Sequence, residues 1–378
     1  MKILHICVSS YYTEGMSYQD NIIPDINASD GHSVTIVSNA SKYNAGIIVQ
    51  TGEQDIYLKN GIRLVRKQYL FGKKIGSKIK AICGLRRLIS DIQPDVILHH
   101  GTGGLSLLST VNYKKDHPKV KLYIDSHEDY HNSARNWISK NIQHKLIHGP
   151  ISRYACNYCE KILYISEECK EFLIDLYHIP IEKLEFYPLG GIIISDIEKC
   201  KYREKVRAEL GIDDSDILLC HTGKLDVNKK TENIILAFDQ IRDERLKLII
   251  IGSLTNETED VINEATKKDK RIKFLGWNKA DELIEYICAS DMYVQPGTQS
   301  ATMQNAICCG IPVMLYPYKS HQAYLKGNGW FVESVSDIVD KLNEIVDNPE
   351  ILIALSANSY QVAYELLDYR KLAARLYQ

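Results

Sequence analysis

Residues 292–316, MYVQPGTQSATMQNAICCGIPVMLY, constrain the fold more than any other stretch of the sequence. The pattern predicts a short strand, a break at Pro296, a helix capped by Ser300 or Thr302 and ended by Gly310, and then a second strand. Such a unit directs the free N–H groups at the start of the helix toward the carboxyl edge of a parallel sheet, where phosphate groups bind. The stretch fits a βαβ unit without a ligand equally well, so the decision depends on the rest of the chain.

Strands and helices alternate along the whole chain. We predict strands at 2–8, 31–37, 58–66, 94–100, 121–125, 161–166 and 185–189 in the first half, and at 217–222, 246–251, 272–275, 292–294 and 313–316 in the second half. This alternation predicts an α/β protein with two Rossmann-like domains, each a doubly wound parallel sheet. We place the domains at 1–192 and 199–358, with a polar linker around 195–203 and a ligand site in the cleft between them.

Composition excludes several classes of protein. The chain has 378 residues, of which 45% are hydrophobic and 25% charged, as expected for a globular protein of two domains. The net charge of −2 argues against a nucleic-acid partner. No apolar run approaches the roughly 20 residues that span a bilayer. The opening residues, MKILHICVSS, become polar too early for a signal peptide, so we expect a cytoplasmic protein.

The ten cysteines lie in apolar contexts that suit buried, reduced thiols. Cys156 and Cys159 form a single CxxC pair without a second pair or a histidine cluster, so we predict no metal site.

Several motifs together resemble the retaining glycosyltransferases of the GT-B architecture, in the large group 1 or family 4 class. Gly223-Lys224-Leu225, with Lys229 and Lys230 after it, resembles the family's G-R-L-x-x-x-K-G element. The stretches FLGW (274–277), ASDMYVQPG and NAICCGIPV resemble three further family elements in the correct order, and PDVILHH resembles an element of the first domain. The resemblance covers nearly the whole chain.

This resemblance implies a nucleotide-sugar donor, UDP- or GDP-linked, and neither a cofactor nor a metal. Lys224 and Lys229 match the family positions that grip the donor diphosphate, and His127 matches a histidine near the donor sugar. The other donor-binding residues implied are Gly15, Gly223, Gly252, Trp277, Gln299, Ser300, Ala301, Thr302 and Asn305. In such enzymes the last helix, here 360–378, packs back on the first domain.

The chain departs from the family at its signature pair of glutamates. The second position is Asn305, and the first is Gly297, or Gln299 if the turn is shortened. Amide side chains can still bind hydroxyl groups, but they carry no charge. This difference leaves the donor sugar open and raises the alternative of an inactive member that acts as a binding partner.

The predicted acceptor-side residues are Tyr18, Gln19, Asp20, His100 and Asp129. The acceptor implied is a saccharide or a lipid-linked saccharide of the cell surface. Residues 63–87 are rich in Lys, Arg and apolar residues and contain no acid, which predicts an amphipathic basic helix that can rest on an anionic membrane at the inner face of the plasma membrane. Residues 129–153 are also basic and aromatic, and we assign them to the acceptor or membrane side.

Four functions remain open at this point. The favoured one is transfer of a sugar to a cell-surface polysaccharide or glycolipid, and the second is the inactive binding partner. A nucleotide-sugar epimerase would need acid and base carboxylates. A dinucleotide oxidoreductase is disfavoured because residues 9–21 contain no GxGxxG.

Overall fold

The computed structural model describes residues 1–44 and 47–378. The chain divides into two compact units, the first formed by Met1–Pro188 with Tyr369–Gln378 and the second by Leu189–Asp368. The observed boundary therefore lies a few residues before the one expected from the sequence.

The first unit is built, within the described residues, on an eight-stranded sheet with the order β10-β9-β8-β7-β1-β2-β6-β5. Neighbouring strands are parallel except β5 and β6, and a separate antiparallel hairpin is formed by β3 and β4. The strands are β1 (Lys2–Cys7), β2 (Ser33–Asn39), β3 (Ser41–Asn44), β4 (Ile47–Gln50), β5 (Gln54–Tyr57), β6 (Arg63–Lys67), β7 (Val96–His100), β8 (Lys121–Ser126), β9 (Lys161–Tyr164) and β10 (Leu184–Phe186).

Helices cover this sheet, which explains why its central strands are rich in Ile, Leu and Val. Ile3 of β1 pairs with Val34 and Val96 on its two sides, and all three side chains are buried. The helices are α1 (Gln19–Ser29), α2 (Gly72–Ile79), α3 (Leu85–Ile92), α4 (Leu105–Asp116), a π-helical segment (Ser139–His148), α5 (Gly149–Cys156), α6 (Glu167–Asp175) and a short 3-10 turn (Ile181–Lys183).

The second unit contains a six-stranded parallel sheet, counted over the described part of the chain, with the order β13-β12-β11-β14-β15-β16. Its strands are β11 (Ile217–Leu225), β12 (Leu246–Leu254), β13 (Ile272–Phe274), β14 (Met292–Gln295), β15 (Val313–Leu315) and β16 (Gly329–Phe331). Its helices are α7 (Asp196–Leu210), α8 (Thr231–Gln240), α9 (Glu259–Lys268), α10 (Ala280–Ala289), α11 (Ala301–Cys308), α12 (Val335–Asp347) and α13 (Ile351–Val362), with 3-10 turns at Val227–Lys229 and Lys319–Ala323 and a π turn at Ala363–Leu367. The predicted doubly wound α/β fold is confirmed.

Two predictions about residues 58–87 are wrong. The expected edge strand at 58–66 is a hairpin, because the chain turns at Gly61 between β5 and β6 and only β5 forms the edge. The expected basic helix over 63–87 begins as strand β6, where Arg66 is buried and bonds backbone carbonyls and Glu14. Two short helices follow, because Phe71 and Gly84 adopt left-handed backbone conformations that interrupt a continuous helix.

Three further elements differ from expectation. The segment around 195–203, expected as a linker, is the start of α7, which is capped by the reciprocal bonds of Ser195 and Glu198. The strand expected at 217–222 is longer, because Gly223-Lys224-Leu225 completes β11. The expected last helix at 360–378 is interrupted: α13 ends at Val362 within the second unit, and α14 (Tyr369–Ala374) packs in the first unit, where Tyr187 donates to the carbonyl of Leu372.

Candidate active site

A polar cavity of about 550 Å³ lies at the carboxyl edge of the first-unit sheet. The ends of β1, β7 and β8 meet at this edge, which is the usual place for ligands in an open α/β sheet. Its lining residues are Ser9, Ser10, Asp20, Lys80, His100, Gly101, Asp125, His127, Glu128, Asn132, Ser133, Gln143 and His144.

Asp125 is the charged centre of one wall of this cavity. Its Oδ2 lies 2.5 Å from Nδ1 of His100 and 3.7 Å from Nε2 of His127, and its Oδ1 accepts the N–H of Gly101 at 2.9 Å. Burial alone would raise the pKa of Asp125, but the two histidines lower it overall, so the carboxylate is ionised. Burial would lower the pKa of His100, and the facing carboxylate outweighs that effect and raises it well above its usual value. Asp125 and His100 therefore form an ion pair in the wall of the cavity.

Glu128 forms a second ion pair in the same cavity. One carboxylate oxygen bonds Nζ of Lys80 at 2.7 Å, and the other accepts from Thr102 at 2.7 Å and from Tyr177 at 3.2 Å. Burial would raise the pKa of Glu128, but the Lys80 ammonium lowers it overall. The hydroxyl of Tyr177 also lies 2.7 Å from Nδ1 of His144.

Among the residues that the structure describes, Glu128, His144 and His148 form the group whose side chains match the ligands of a metal ion, with ligand atoms within 4.8 Å of one another. Both ring nitrogens of buried His148 lack a hydrogen-bond partner among the residues that the structure describes. However, the Lys80 ammonium already neutralises Glu128, so a second cation there would be repelled. Cys156 and Cys159 are both buried free thiols.

A smaller pocket of about 240 Å³ lies at the carboxyl edge of the second-unit sheet. It brings together five residues predicted for donor binding, namely Gly223, Lys224, Gly252, Trp277 and Thr302. Gly252 is required by the close approach of β11 and β12, since a Cβ on Gly252 would lie 1.8 Å from the carbonyl oxygen of Gly223. The Trp277 side chain is 72% exposed at the pocket and offers a flat apolar face.

Lys229 lies beneath the loop that precedes α11. Its ammonium donates to the backbone carbonyls of Thr298 at 2.8 Å and Gln299 at 2.7 Å. Burial lowers the pKa of Lys229 to about 8. The loop also fits closely at Gly297, where a Cβ would lie 2.2 Å from the carbonyl oxygen of Asn228. Lys229 therefore fixes the loop that carries the start of α11.

Of the two predicted caps of α11, Ser300 and Thr302, the structure shows Ser300, whose hydroxyl accepts the N–H of Thr302 at 3.2 Å. Ala301 is exposed and Asn305 is half-buried. The neighbouring Gln304 accepts the N–H of Gly190 at 2.9 Å, so its amide supports the backbone.

The other predicted residues are more scattered. Of the acceptor-side set, Asp20 and His100 line the first-unit cavity, and His127 joins them there. Gln19 differs from its prediction, because it is buried and its amide donates to the carbonyl of Pro188 at 2.8 Å. Tyr18 and Gly15 are exposed, and Asp129 accepts the N–H groups of His131 and Asn132 in its own loop.

Sequence reasoning missed the ion pair of Lys80 and Glu128 and the role of Asp125 between two histidines. The available signal was SHED at 126–129, which follows a core strand, but Lys80 lies far away in the chain.

Two family descriptions match the chain. Glycosyl transferases group 1 matches residues 202–362, and glycosyltransferase family 4 matches residues 28–190. The chain therefore belongs to the group 1, family 4 glycosyltransferases, whose fold is GT-B.

Among curated proteins, the chain is similar to the alpha-monoglucosyldiacylglycerol synthase of Acholeplasma laidlawii, with 24% identity over 289 residues that cover 72% of each chain. It is 22% identical over 267 residues to the Streptococcus pneumoniae protein of the same name, covering 66% of this chain and 58% of the relative. Among solved structures, HepE of Anabaena in complex with UDP has a TM-score of 0.68 at 15% identity and covers 99% of this chain and 98% of its own. At that identity the structural likeness supports the fold alone.

Proposed function

We propose that the chain is a retaining glycosyltransferase that moves a sugar from a nucleotide diphosphate sugar to a saccharide or lipid-linked acceptor in cell-surface glycolipid or polysaccharide synthesis. The observation that carries this proposal is the second-unit pocket, where closely packed glycines, Lys224, Trp277 and the start of α11 surround one space. Backbone N–H groups and a lysine favour a diphosphate, and an exposed aromatic face favours a base.

In the proposed reaction, an acceptor hydroxyl oxygen bonds to the anomeric carbon while the bond from that carbon to the phosphate oxygen breaks. The acceptor proton passes to the departing phosphate, and the new bond forms on the face that the phosphate leaves. The diphosphate gains charge in this step, and Lys224 and the N–H groups of α11 would stabilise it. Lys229 contributes by holding the loop in place, and the reaction as proposed uses no cofactor and no metal.

Two similarities support the choice of substrates. HepE has been solved with UDP and glucose, which supports a UDP-linked donor, although a GDP-linked donor fits the same pocket chemistry. Both curated relatives are named as synthases of a glucosylated diacylglycerol, which supports a lipid-linked acceptor.

The alternative is an inactive homologue that binds a nucleotide or another transferase. It is favoured by the two positions where the family resemblance places glutamates, which carry Asn305 and Gly297, or Gln299 if the turn is shortened. Binding alone does not separate the two proposals, whereas transfer does.

The test is a panel of nucleotide diphosphate sugars, measured for binding by calorimetry and for transfer to lipid and saccharide acceptors. Lys224→Ala should weaken diphosphate binding about 10- to 100-fold, because a charge-assisted hydrogen bond contributes ~1.5–3 kcal/mol. Lys268→Ala is the control, since that lysine pairs with Asp239 on the second-unit surface. Binding without transfer would favour the inactive homologue, and no binding would contradict both proposals.

A membrane-facing surface is a second part of the proposal. Among the described residues, we find no helix with the length and apolar character needed to cross a bilayer. Helix α2 nevertheless exposes Ile75 beside Lys73 and Lys74, and Phe71 before it is 69% exposed. The segment after β8 similarly exposes a set of apolar residues, Trp137, Ile138, Ile142, Leu146 and Ile147. Apolar side chains beside lysines suit the interface of an anionic membrane, such as the inner face of the plasma membrane.

Sedimentation with anionic vesicles tests this surface. The double change Lys73→Glu and Lys74→Glu should lower vesicle binding by at least tenfold, because each lysine near the membrane contributes ~1 kcal/mol. Lys59→Glu, in the exposed turn between β5 and β6, should have little effect. Equal loss in both variants would indicate general charge attraction and contradict the proposed surface.

A further inference from the structure

Asp125 is shared between two histidines that differ in their access to the cavity. The His100 ring is buried, and its Nδ1 lies 2.5 Å from Oδ2 of Asp125. The His127 side chain is 39% exposed, and its Nε2 lies 3.7 Å from the same oxygen. Since Oδ1 is occupied by the N–H of Gly101, both rings depend on a single oxygen. The two histidines therefore compete for one charge.

A buried chain of hydrogen bonds holds His100 from behind. Its Nε2 lies 3.2 Å from Nδ1 of His5, and Nε2 of His5 lies 2.9 Å from Oδ1 of Asn27. The His5 and His100 rings stack with centroids 5.5 Å apart. Because burial and the neighbouring His100 lower the pKa of His5 to about 3, His5 is neutral and the positive charge of this chain stays on His100. His100 is thus a fixed partner of Asp125, while His127 is the partner that a ligand can reach.

We propose that Asp125 is a positioning residue for His127, and that His100 sets how strongly Asp125 can hold it. In this arrangement Asp125 fixes Nε2 of His127 and turns the other ring nitrogen, Nδ1, toward a hydroxyl group of the sugar in the first-unit cavity. The effect on catalysis rests on the proposed transferase function. The competition of His100 and His127 for Asp125 is a property of the protein without substrate.

Other groups around this network have the opposite or a weaker influence. Asp20 of α1 lies on the cavity side of His127 and favours its charged form, as Asp125 does. His100 also faces the thiol of Cys7 from β1. The neighbouring His99 ring is neutral, because burial and the positive charges of His100 and Lys80 lower its pKa to about 4. Asp20 and Asp125 thus both favour the charged form of His127, and His100 opposes it.

The experiment follows the titration of the His127 ring by NMR in the full chain, with His127→Gln to assign the signal. Asp125→Asn should lower the midpoint by about 1 pH unit or more, because an opposite charge at this range shifts a pKa by that amount. His100→Gln should raise the midpoint, because His127 then no longer shares the Asp125 carboxylate with a second positively charged ring. Asp116→Asn, which removes an exposed carboxylate of the same unit, should leave it unchanged.

Transfer assays of the same variants test the consequence. Asp125→Asn should lower kcat about 100-fold, as expected when a catalytic group is misplaced by about 1 Å, while KM for the donor changes less. Asp125→Glu should recover part of the loss, and the limb of the pH profile that reports His127 should move with the midpoint measured by NMR.

Each outcome decides the inference. Shifts of opposite sign with reduced kcat would support it. Shifts of the same sign in Asp125→Asn and His100→Gln, or an unchanged kcat in Asp125→Asn, would overturn it. If Asp125→Asn does not fold, a raised midpoint in His100→Gln supports the inference and an unchanged one contradicts it. If the wild type transfers no sugar, the proposed function fails, and the two titrations still decide whether Asp125 and His100 control His127.

Discussion

In the first unit, two buried carboxylates of the cavity are paired with cationic side chains, whereas in the second unit the buried lysine beside the pocket bonds backbone carbonyls. Asp125 is held by His100, and Glu128 by Lys80. Lys229 instead donates to the carbonyls of Thr298 and Gln299. Each site lies at the carboxyl edge of its own sheet. The two sites therefore differ in the charge that remains available to a ligand. Paired ions suit a neutral, hydroxyl-rich ligand, whereas a lysine whose bonds to the described residues go to backbone carbonyls suits an anion.

The largest expected effect concerns the charge pairs of the first unit. Glu128→Ala leaves the Lys80 ammonium largely buried without its carboxylate, so we expect the free energy of unfolding to fall by about 3–5 kcal/mol. Urea denaturation measures this change. Asp116→Ala, which breaks an exposed pair with Arg86, should cost less than about 1 kcal/mol. Similar losses in both variants would mean that the cavity pairs behave as surface pairs.

The next largest effect concerns the stability of the two units at low pH, which we expect to differ. Burial lowers the pKa of His5 to about 3 and of His99 and His148 to about 4 in the first unit, and of His221 to about 4 in the second. Between pH 6.5 and about 4 the unfolded chain binds protons that these folded histidines do not, so stability falls as the pH falls through this range.

We expect the first unit to lose protection against hydrogen exchange at a higher pH than the second, after correction for intrinsic exchange rates. Glu128 and Asp125 extend the loss to lower pH, since their pKa values are held below the usual range. An equal loss in both units would contradict this difference.

The smallest expected effect concerns the neutral floor of the second-unit pocket. The hydroxyl of buried Tyr293 lies 3.0 Å from that of Thr222 and donates to Gln295 at 2.9 Å. Tyr293→Phe should cost about 1 kcal/mol in the free energy of unfolding, because it removes uncharged hydrogen bonds. Tyr57→Phe, at an exposed position, is the control. A loss as large as that of Glu128→Ala would remove the contrast between a charged and a neutral site.

Much of the fold follows from the sequence because each core strand is a short apolar run closed by a turn. Predictions failed where a local sequence pattern was compatible with two different secondary structures. Residues 63–87 look like a basic helix, but the chain reverses at Phe71 and Gly84, and Arg66 is buried against carbonyls that come from distant segments. The strand predicted at 217–222 ends too early, because glycine and lysine are poor strand formers whereas pairing with β12 extends the strand through residues 223–225.

The sequence by itself determined the α/β alternation, the motifs that resemble the family, and a start of α11 at Ser300 or Thr302, because these depend on neighbours within a few residues. Only the tertiary structure decided that Asp125 lies between His100 and His127, that Lys80 neutralises Glu128, and that Lys229 binds the loop before α11. The contacts of Asp125 with His100, of Lys80 with Glu128 and of Lys229 with the loop join residues far apart in the chain. The sign and strength of these contacts depend on burial, which a linear pattern does not record. In each unit the topology of the sheet brings such residues to its carboxyl edge, and the chemistry of that unit's pocket depends on them.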